Sequence, residues 1–110
     1  MEHELDGWDI VHGADADWMP WGGEGAAARA KVLGTGDGYA LVLVEAAAGY
    51  TGTPHDHTHP EISYVIAGTV EHQGVPMTAG DGYIASAGST HTGFTVTSDA
   101  TYVLAFKLQP

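Results

Sequence analysis

The sequence predicts an all-β fold, an antiparallel sandwich or barrel, on three observations. Turn signals recur roughly every ten residues after Gly49, the spacing of short antiparallel strands. The 16 glycines and 5 prolines suit many strands joined by tight turns better than long helices. The third is GTGDG, residues 34–38, followed by the apolar run YALVLVEA, which reads as a hairpin. At 110 residues the chain suffices for one compact domain, residues 1–110, and is too short for two.

Taken in order, residues 1–25 mix acids, glycine and the three tryptophans Trp8, Trp18 and Trp21 without a sustained period. They are expected to form an arm with one or two short strands, packed on the barrel or on a partner subunit. Residues 26–33 are alanine-rich and compatible with helix, but the hairpin signal after them favours strand. Further strand-like runs fall at residues 61–66, 69–72, 82–85, 93–97 and 101–108. In the last, Tyr102, Leu104, Phe106 and Leu108 alternate with Val103, Ala105 and Lys107, and Lys107 marks the outer face. No internal repeat or linker-like tract divides the chain.

Fourteen acidic residues face only Arg29, Lys31 and Lys107, for a formal net charge of -11. Nucleic acid is thereby disfavoured, because phosphates are held mainly by Lys and Arg. The absence of cysteine removes disulfides, thiolate metal sites and cysteine nucleophiles. The N-terminus carries acids where a secretory signal would be basic, and no run approaches the ~20 apolar residues of a membrane span. The expectation is a cytoplasmic protein without membrane partners.

The chemistry is concentrated in residues 49–68, where His55, His57, His59 and Glu61 occupy every second position. In an extended chain these four project from one face, and Pro54 and Pro60 bias their preceding residues toward that conformation. Imidazoles and a carboxylate converging inside a barrel need a cation, since an unpaired buried carboxylate costs several kcal/mol. A fourth donor comes from another strand, and His91, after the glycines of residues 80–88, can supply it on the same face as Thr95. One divalent transition metal held by His55, His57, Glu61 and His91 is the expectation. His3, His12 and His72 lack such company and read as surface residues. His59 has three readings: it replaces His57 in a shifted register, lines the pocket as a catalytic acid or base, or faces the mouth; the pocket role is preferred.

These residues resemble the cupin motifs. The first motif, G-x5-H-x-H-x3-E-x6-G, is matched by Gly49, His55, His57, Glu61 and Gly68; the second, G-x5-P-x-G-x2-H-x3-N, by Gly80, Gly88 and His91. Ser86 stands where the family has proline and Thr95 where it has asparagine, which bears on turn stiffness and pocket polarity rather than on the ligands. The resemblance implies a double-stranded β-helix, or jelly roll, with the same metal ligands. The spacing around Trp18 is similar to small single-domain cupins related to anti-sigma-factor cupin domains and to diketone or aromatic-ketone dioxygenases. A homodimer is implied as well, with the arm a candidate for crossing between subunits.

Three imidazoles and a carboxylate suit Fe, Mn, Ni, Zn, Co or Cu, and leave about two positions open on a six-coordinate ion. The functional expectation is a metal-dependent, dioxygenase-type enzyme acting on a small oxygen-chelating organic substrate. A non-oxidative lyase, isomerase or cyclase, and a non-catalytic metal- or ligand-sensing module, are the alternatives. Trp18, Trp21, Met77, Tyr102 and Phe106 are candidate substrate-binding residues. Tyr64 and Phe94 are each one step out of phase with a proposed ligand and are expected to point away from the metal.

Overall fold

The computed structural model describes residues 6–22, 27–52, 55–56 and 58–108, with the backbone alone for 55 and 56. Among the described residues a 3₁₀ turn at Gly13–Asp15 is followed by nine strands: β1 (Met19–Pro20), β2 (Ala28–Gly36), β3 (Tyr39–Ala46), β4 (His55–Asp56), β5 (Glu61–His72), β6 (Val75–Thr78), β7 (Gly82–Ala85), β8 (Thr90–His91) and β9 (Phe94–Lys107). Seven of them form one antiparallel sheet in the order β1-β2-β3-β9-β5-β6, with β7 paired to the first half of β5 on the same edge that the second half gives to β6; β4 and β8 pair separately. This is the all-β jelly roll of the double-stranded β-helix. The alanine-rich segment is strand from Ala28 onward, as the hairpin signal requires.

Two hairpins rest on left-handed turn residues. Asp37 and Gly38 (φ 53° and 80°) join β2 to β3, and Gln73 and Gly74 (φ 55° and 79°) join β5 to β6. Two consecutive residues with positive φ give the primed turn whose twist matches that of the flanking strands. Runs that sequence periodicity separates are continuous: residues 61–66 and 69–72 belong to β5, and residues 93–97 and 101–108 largely to β9. Between the halves of β5 its register against β9 shifts at Val65/Ala67, Ala67/Thr69 and Thr69/Val70. Such bulges bend and twist a strand without ending it. Gly68 makes this possible, because at φ +80° a Cβ there would lie 2.0 Å from the carbonyl oxygen of Asp99.

Alternation then sorts the side chains. Facing inward, Val42, Leu104, Ser63 and Tyr83 form one cross-strand row over β3, β9, β5 and β7. Facing outward, Leu41, Ala105, Ile62 and Ile84 form a row, next to Leu43, Val103, Tyr64 and Gly82. The fully packed interior is built from small residues, including Ala30, Ala40, Val42, Val44, Ala46, Val65 and Val96. The larger rings of Trp21, Phe94 and Phe106 are only partly buried, and they border an open space in place of a filled one.

The described part of the arm folds back on β2. Met19 pairs with Ala30, the Asp9 carboxylate accepts the Thr35 amide at 2.8 Å, and Lys31 Nζ donates to the Gly13 carbonyl at 2.7 Å. Trp18 lies beneath the Arg29 guanidinium (4.0 Å) and Lys31 Nζ (4.7 Å).

Candidate metal and ligand site

Along the first half of β5, Glu61, Ser63 and Val65 are buried while Ile62, Tyr64 and Ile66 are exposed. The strand pleat therefore turns the Glu61 carboxylate inward and Tyr64 outward, in line with the expected phase of Tyr64. Across the barrel mouth, His91 is buried and its backbone stands opposite that of His55 in the β4–β8 pair. Two of the four expected donor positions thus share one register point, although they are 36 residues apart by the same pairing. Glu61 and His91 line one cavity of about 380 Å³. His57 lies outside the described residues, and among the described residues no group of three or more His, Asp or Glu side chains gathers to hold an ion.

Sequence reasoning missed the groups that surround these two. Tyr83 on β7 donates its hydroxyl to Glu61 Oε2, and the Ser63 hydroxyl donates to the Val103 carbonyl at 2.9 Å. Burial, and then the hydrogen bond to Glu61, push the Tyr83 phenol well above its ordinary pKa; burial does the same to Tyr102 and Tyr50. The three phenols therefore face the cavity protonated, with the Tyr83 proton directed to Glu61. The signal for Tyr83 was its inward phase on a short strand, usable only once β7 is known to pair with β5 in the register Ser63↔Tyr83.

His72 corrects its surface assignment. Its ring stacks on His91 with centroids 4.4 Å apart and 20° between planes, and lies 4.3 Å from the ring of Tyr83. Residues at the end of β5 look exposed by sequence, but the bulges in that strand curl its end back toward β8. Phe94 is a second correction. It lines the cavity, with its ring 6.1 Å from His91 and 5.5 Å from Tyr102. Parity failed there because residues 92 and 93 interrupt β8 and β9, so the alternation of one strand is not carried into the next. For the same reason Thr95 does not join His91 in the lining.

Of the proposed lining residues, Trp21, Met77, Tyr102 and Phe106 border the cavity. Trp18 does not; its stacking under Arg29 and Lys31 keeps it on the β2 side. His59 is also outside the lining, exposed in a bend with Thr58 Oγ1 3.1 Å from its Nδ1. The bend before Pro60 breaks the alternation that would have aimed it with Glu61.

The turn that carries His91 is held by Gln73. Its Oε1 accepts from the Thr92 amide (2.7 Å), the Gly93 amide (2.9 Å) and the Thr92 hydroxyl (3.1 Å), and its Nε2 donates to the Thr90 carbonyl at 3.1 Å. The Gln73 amide itself donates to the Gly93 carbonyl at 2.8 Å.

The donor chemistry fits a divalent ion in part. A buried carboxylate and a buried imidazole, both of residue types that ligate divalent ions, face the same cavity. His55 is in register with His91 by backbone.

A family model described as the ChrR Cupin-like domain matches residues 7–110. The pectin degradation protein KdgF of Dickeya dadantii is 34% identical over 80 residues, covering 68% of this chain and 73% of that protein. Among solved structures, KdgF from Halomonas sp. superposes with a TM-score of 0.76 at 24% identity, over 93% of this chain and 96% of that one. An acetylacetone dioxygenase from Acinetobacter johnsonii does so with a TM-score of 0.76 at 14% identity, over 96% and 76%. At these identities the two structures speak to the fold.

Proposed function

As the chain belongs to the family of ChrR cupin-like domains, we propose that it is a metal-dependent enzyme, dioxygenase-type, acting on a small organic substrate that chelates through oxygen. The observation that carries this reading is the meeting of Glu61 and His91 in one cavity with largely aromatic and aliphatic walls, with His55 opposite His91. His55, His57, Glu61 and His91 would hold one divalent ion, Fe, Mn, Ni, Zn, Co or Cu. Bound there, the ion would supply Lewis acidity toward substrate oxygens and, as iron, dioxygen chemistry. The protein's own contribution is positional. Tyr83 orients the Glu61 carboxylate, His72 and Phe94 flank the His91 ring, and Trp21 and Phe106, 6.0 Å apart, wall off the bound molecule. His59, exposed beside the bend, is kept as a candidate proton carrier at the mouth only.

Metal analysis of protein purified without added metal tests the site, and dioxygen uptake by the iron form with a diketone or hydroxyaryl ketone tests the reaction. His55→Ala and His91→Ala should each reduce metal content sharply; unchanged content in both would reject the ligand set. Turnover by a zinc or manganese form without dioxygen uptake would favour a lyase, isomerase or cyclase. That second reading is supported by the likeness to a pectin degradation protein, which makes a carboxylated sugar the competing substrate class. Binding without turnover over a broad panel would favour a sensing module.

We also propose a homodimer, through the outer face of β3, β9, β5 and β7. Leu41, Ile62, Tyr64, Ile66 and Ile84 are all exposed there, Ile84 at 71%. The two cross-strand rows carry no charge in a chain of net charge -11, so a second copy can approach without repulsion on this face. Among the described residues no helix is long and apolar enough to cross a membrane. The cysteine-free composition is compatible with a reducing cytoplasm, where we place the protein.

A further inference from the structure

We propose that His72 is a positioning residue whose ring fixes the plane of the His91 imidazole and ties it to the Tyr83–Glu61 pair. The inference rests on the reading of Glu61 and His91 as metal ligands and adds to it a group outside the ligand set. His91 sits on β8, a two-residue strand that lies outside the seven-stranded sheet and pairs with β4. Its backbone is held by that pairing and, at the neighbouring Thr90, Thr92 and Gly93, by Gln73. Those bonds do not reach the ring, and the torsion that turns a histidine ring about its Cβ–Cγ bond has no sharp preference of its own. A ligating nitrogen must nevertheless aim an in-plane lone pair at its ion. Two rings press on the imidazole. His72 lies nearly parallel to it, with centroids 4.4 Å apart and 20° between planes, and Phe94 stands edge-on at 6.1 Å and 78°. Turning the His91 ring would drive its edge into the face of His72.

The same ring also reaches the holder of the second donor. Its centroid is 4.3 Å from that of Tyr83, at 49°, and the Tyr83 hydroxyl donates to Glu61. Glu61 and His72 are the first and last residues of β5. In an uninterrupted strand at ~3.3 Å per residue they would stand ~36 Å apart, yet one tyrosine touches both. The register shifts between Val65 and Val70 bend β5 and bring its end beside β7 and β8. His72 does not line the cavity. Nor is it a further ligand, because the lone pairs of two rings stacked at 20° run side by side and do not converge on one ion at a metal–nitrogen distance of about 2.1 Å. It acts through His91 and Tyr83, as outer-shell groups do whose loss costs a site about 10–100-fold in metal affinity. What this position contributes to His91 is a flat face, which a phenyl ring also supplies.

The test titrates cobalt(II) into the metal-free full chain, with a competing chelator to read affinity and the visible d–d bands to read ligand geometry. His72→Leu keeps apolar bulk without a flat face, and it should weaken cobalt binding about tenfold and shift the bands while the melting temperature stays close to wild type. His72→Phe restores the face and should bind within about threefold of wild type, with the bands in place. Wild-type affinity and bands in His72→Leu overturn the proposal. So does a His72→Phe variant as weak as His72→Leu, since the flat face would then not be what orients His91. A second measurement needs neither the metal nor a folded leucine variant. In protein with isotope-labelled histidines, the His91 ring proton, assigned by its loss in His91→Ala, should resonate upfield of a solvent-exposed histidine in both wild type and His72→Phe. Absence of that displacement overturns the proposal. A wild-type chain that takes up no cobalt refutes the metal reading, and the upfield displacement alone then upholds or overturns the hold of His72 on the His91 ring.

Discussion

Gln73 Oε1 accepts the backbone amide of Thr92 at 2.7 Å, tying the β5–β6 hairpin to the turn directly after His91. With the neighbouring bonds to Gly93, the Thr92 hydroxyl and the Thr90 carbonyl, one carboxamide satisfies the backbone on both sides of that histidine. Hydrogen bonds from outside the ligand sphere of this kind set ligand orientation. Gln73→Ala should destabilise the fold by about 2 kcal/mol and reduce metal occupancy about tenfold or more. Gln73→Glu keeps the oxygen that accepts three donors but faces Thr90 with an acceptor, and should fall between the two. Thermal unfolding together with metal content checks both variants; equal occupancy in wild type and Gln73→Ala would remove the clamp from the site.

Tyr83→Phe deletes the donor to Glu61 and leaves the ring against His72. The carboxylate loses its orientation while the packing is retained, so metal affinity should fall about tenfold to a hundredfold with little change in melting temperature. Competition against a chromogenic chelator reads the affinity.

The raised phenols also set the alkaline limit of the fold. For Tyr83, Tyr102 and Tyr50 the folded pKa lies above the ordinary phenol value of 10.0, chiefly because burial disfavours the phenolate. The native state therefore keeps protons that the unfolded chain releases. Their contribution is complete below pH 10 and declines as pH rises above it. Melting temperature should hold up to about pH 9.5 and then fall steeply, and Tyr102→Phe should flatten that decline. A melting temperature independent of pH between 9 and 11 would contradict this account.

Gly68→Ala should be among the most damaging single substitutions. The new Cβ would meet the Asp99 carbonyl oxygen at 2.0 Å and hold a left-handed φ of +80°, so both backbone strands must move. A loss above about 3 kcal/mol is expected, read by chemical denaturation. Gly74→Ala provides the comparison, since its φ of +79° is matched by open space; its cost should be limited to about 1 kcal/mol.

Ile62→Glu combined with Ile84→Glu places two charges side by side in the outward row, because the two residues are direct partners across β5 and β7. Light scattering should report a dimer for the unsubstituted chain and a monomer for the double variant. A wild-type monomer would reject the interface.

The fold class was legible in the sequence because its signals are local. Glycine-bearing turns at regular spacing and two-residue alternation specify strands wherever the neighbours are, and Asp37–Gly38 closes its hairpin as that dipeptide suggests. Glu61 and His91 were legible from motif spacing, and the structure brings both to one cavity. Tyr64 could be placed outside because it shares an unbroken stretch of strand with Glu61. The same arithmetic failed for Phe94 and His59, where residues 92–93 and the bend before Pro60 interrupt the strand. Trp18 failed for another reason: a tryptophan beside a barrel can cover cations outside it as readily as an apolar space inside it.

What the sequence by itself determined, then, was the strand-rich architecture, the acidic charge and its three dispersed cations, and the positions bearing metal-ligand chemistry. Only the tertiary structure decided that His72 stacks on His91, that Tyr83 reaches Glu61 and that Gln73 grips the turn beyond β8. Each of those contacts joins residues 19 or more apart through hairpins and bulges. Their side-chain types carry no local mark of the partner, because the register shifts in β5 accumulate along the strand and set which groups finally meet.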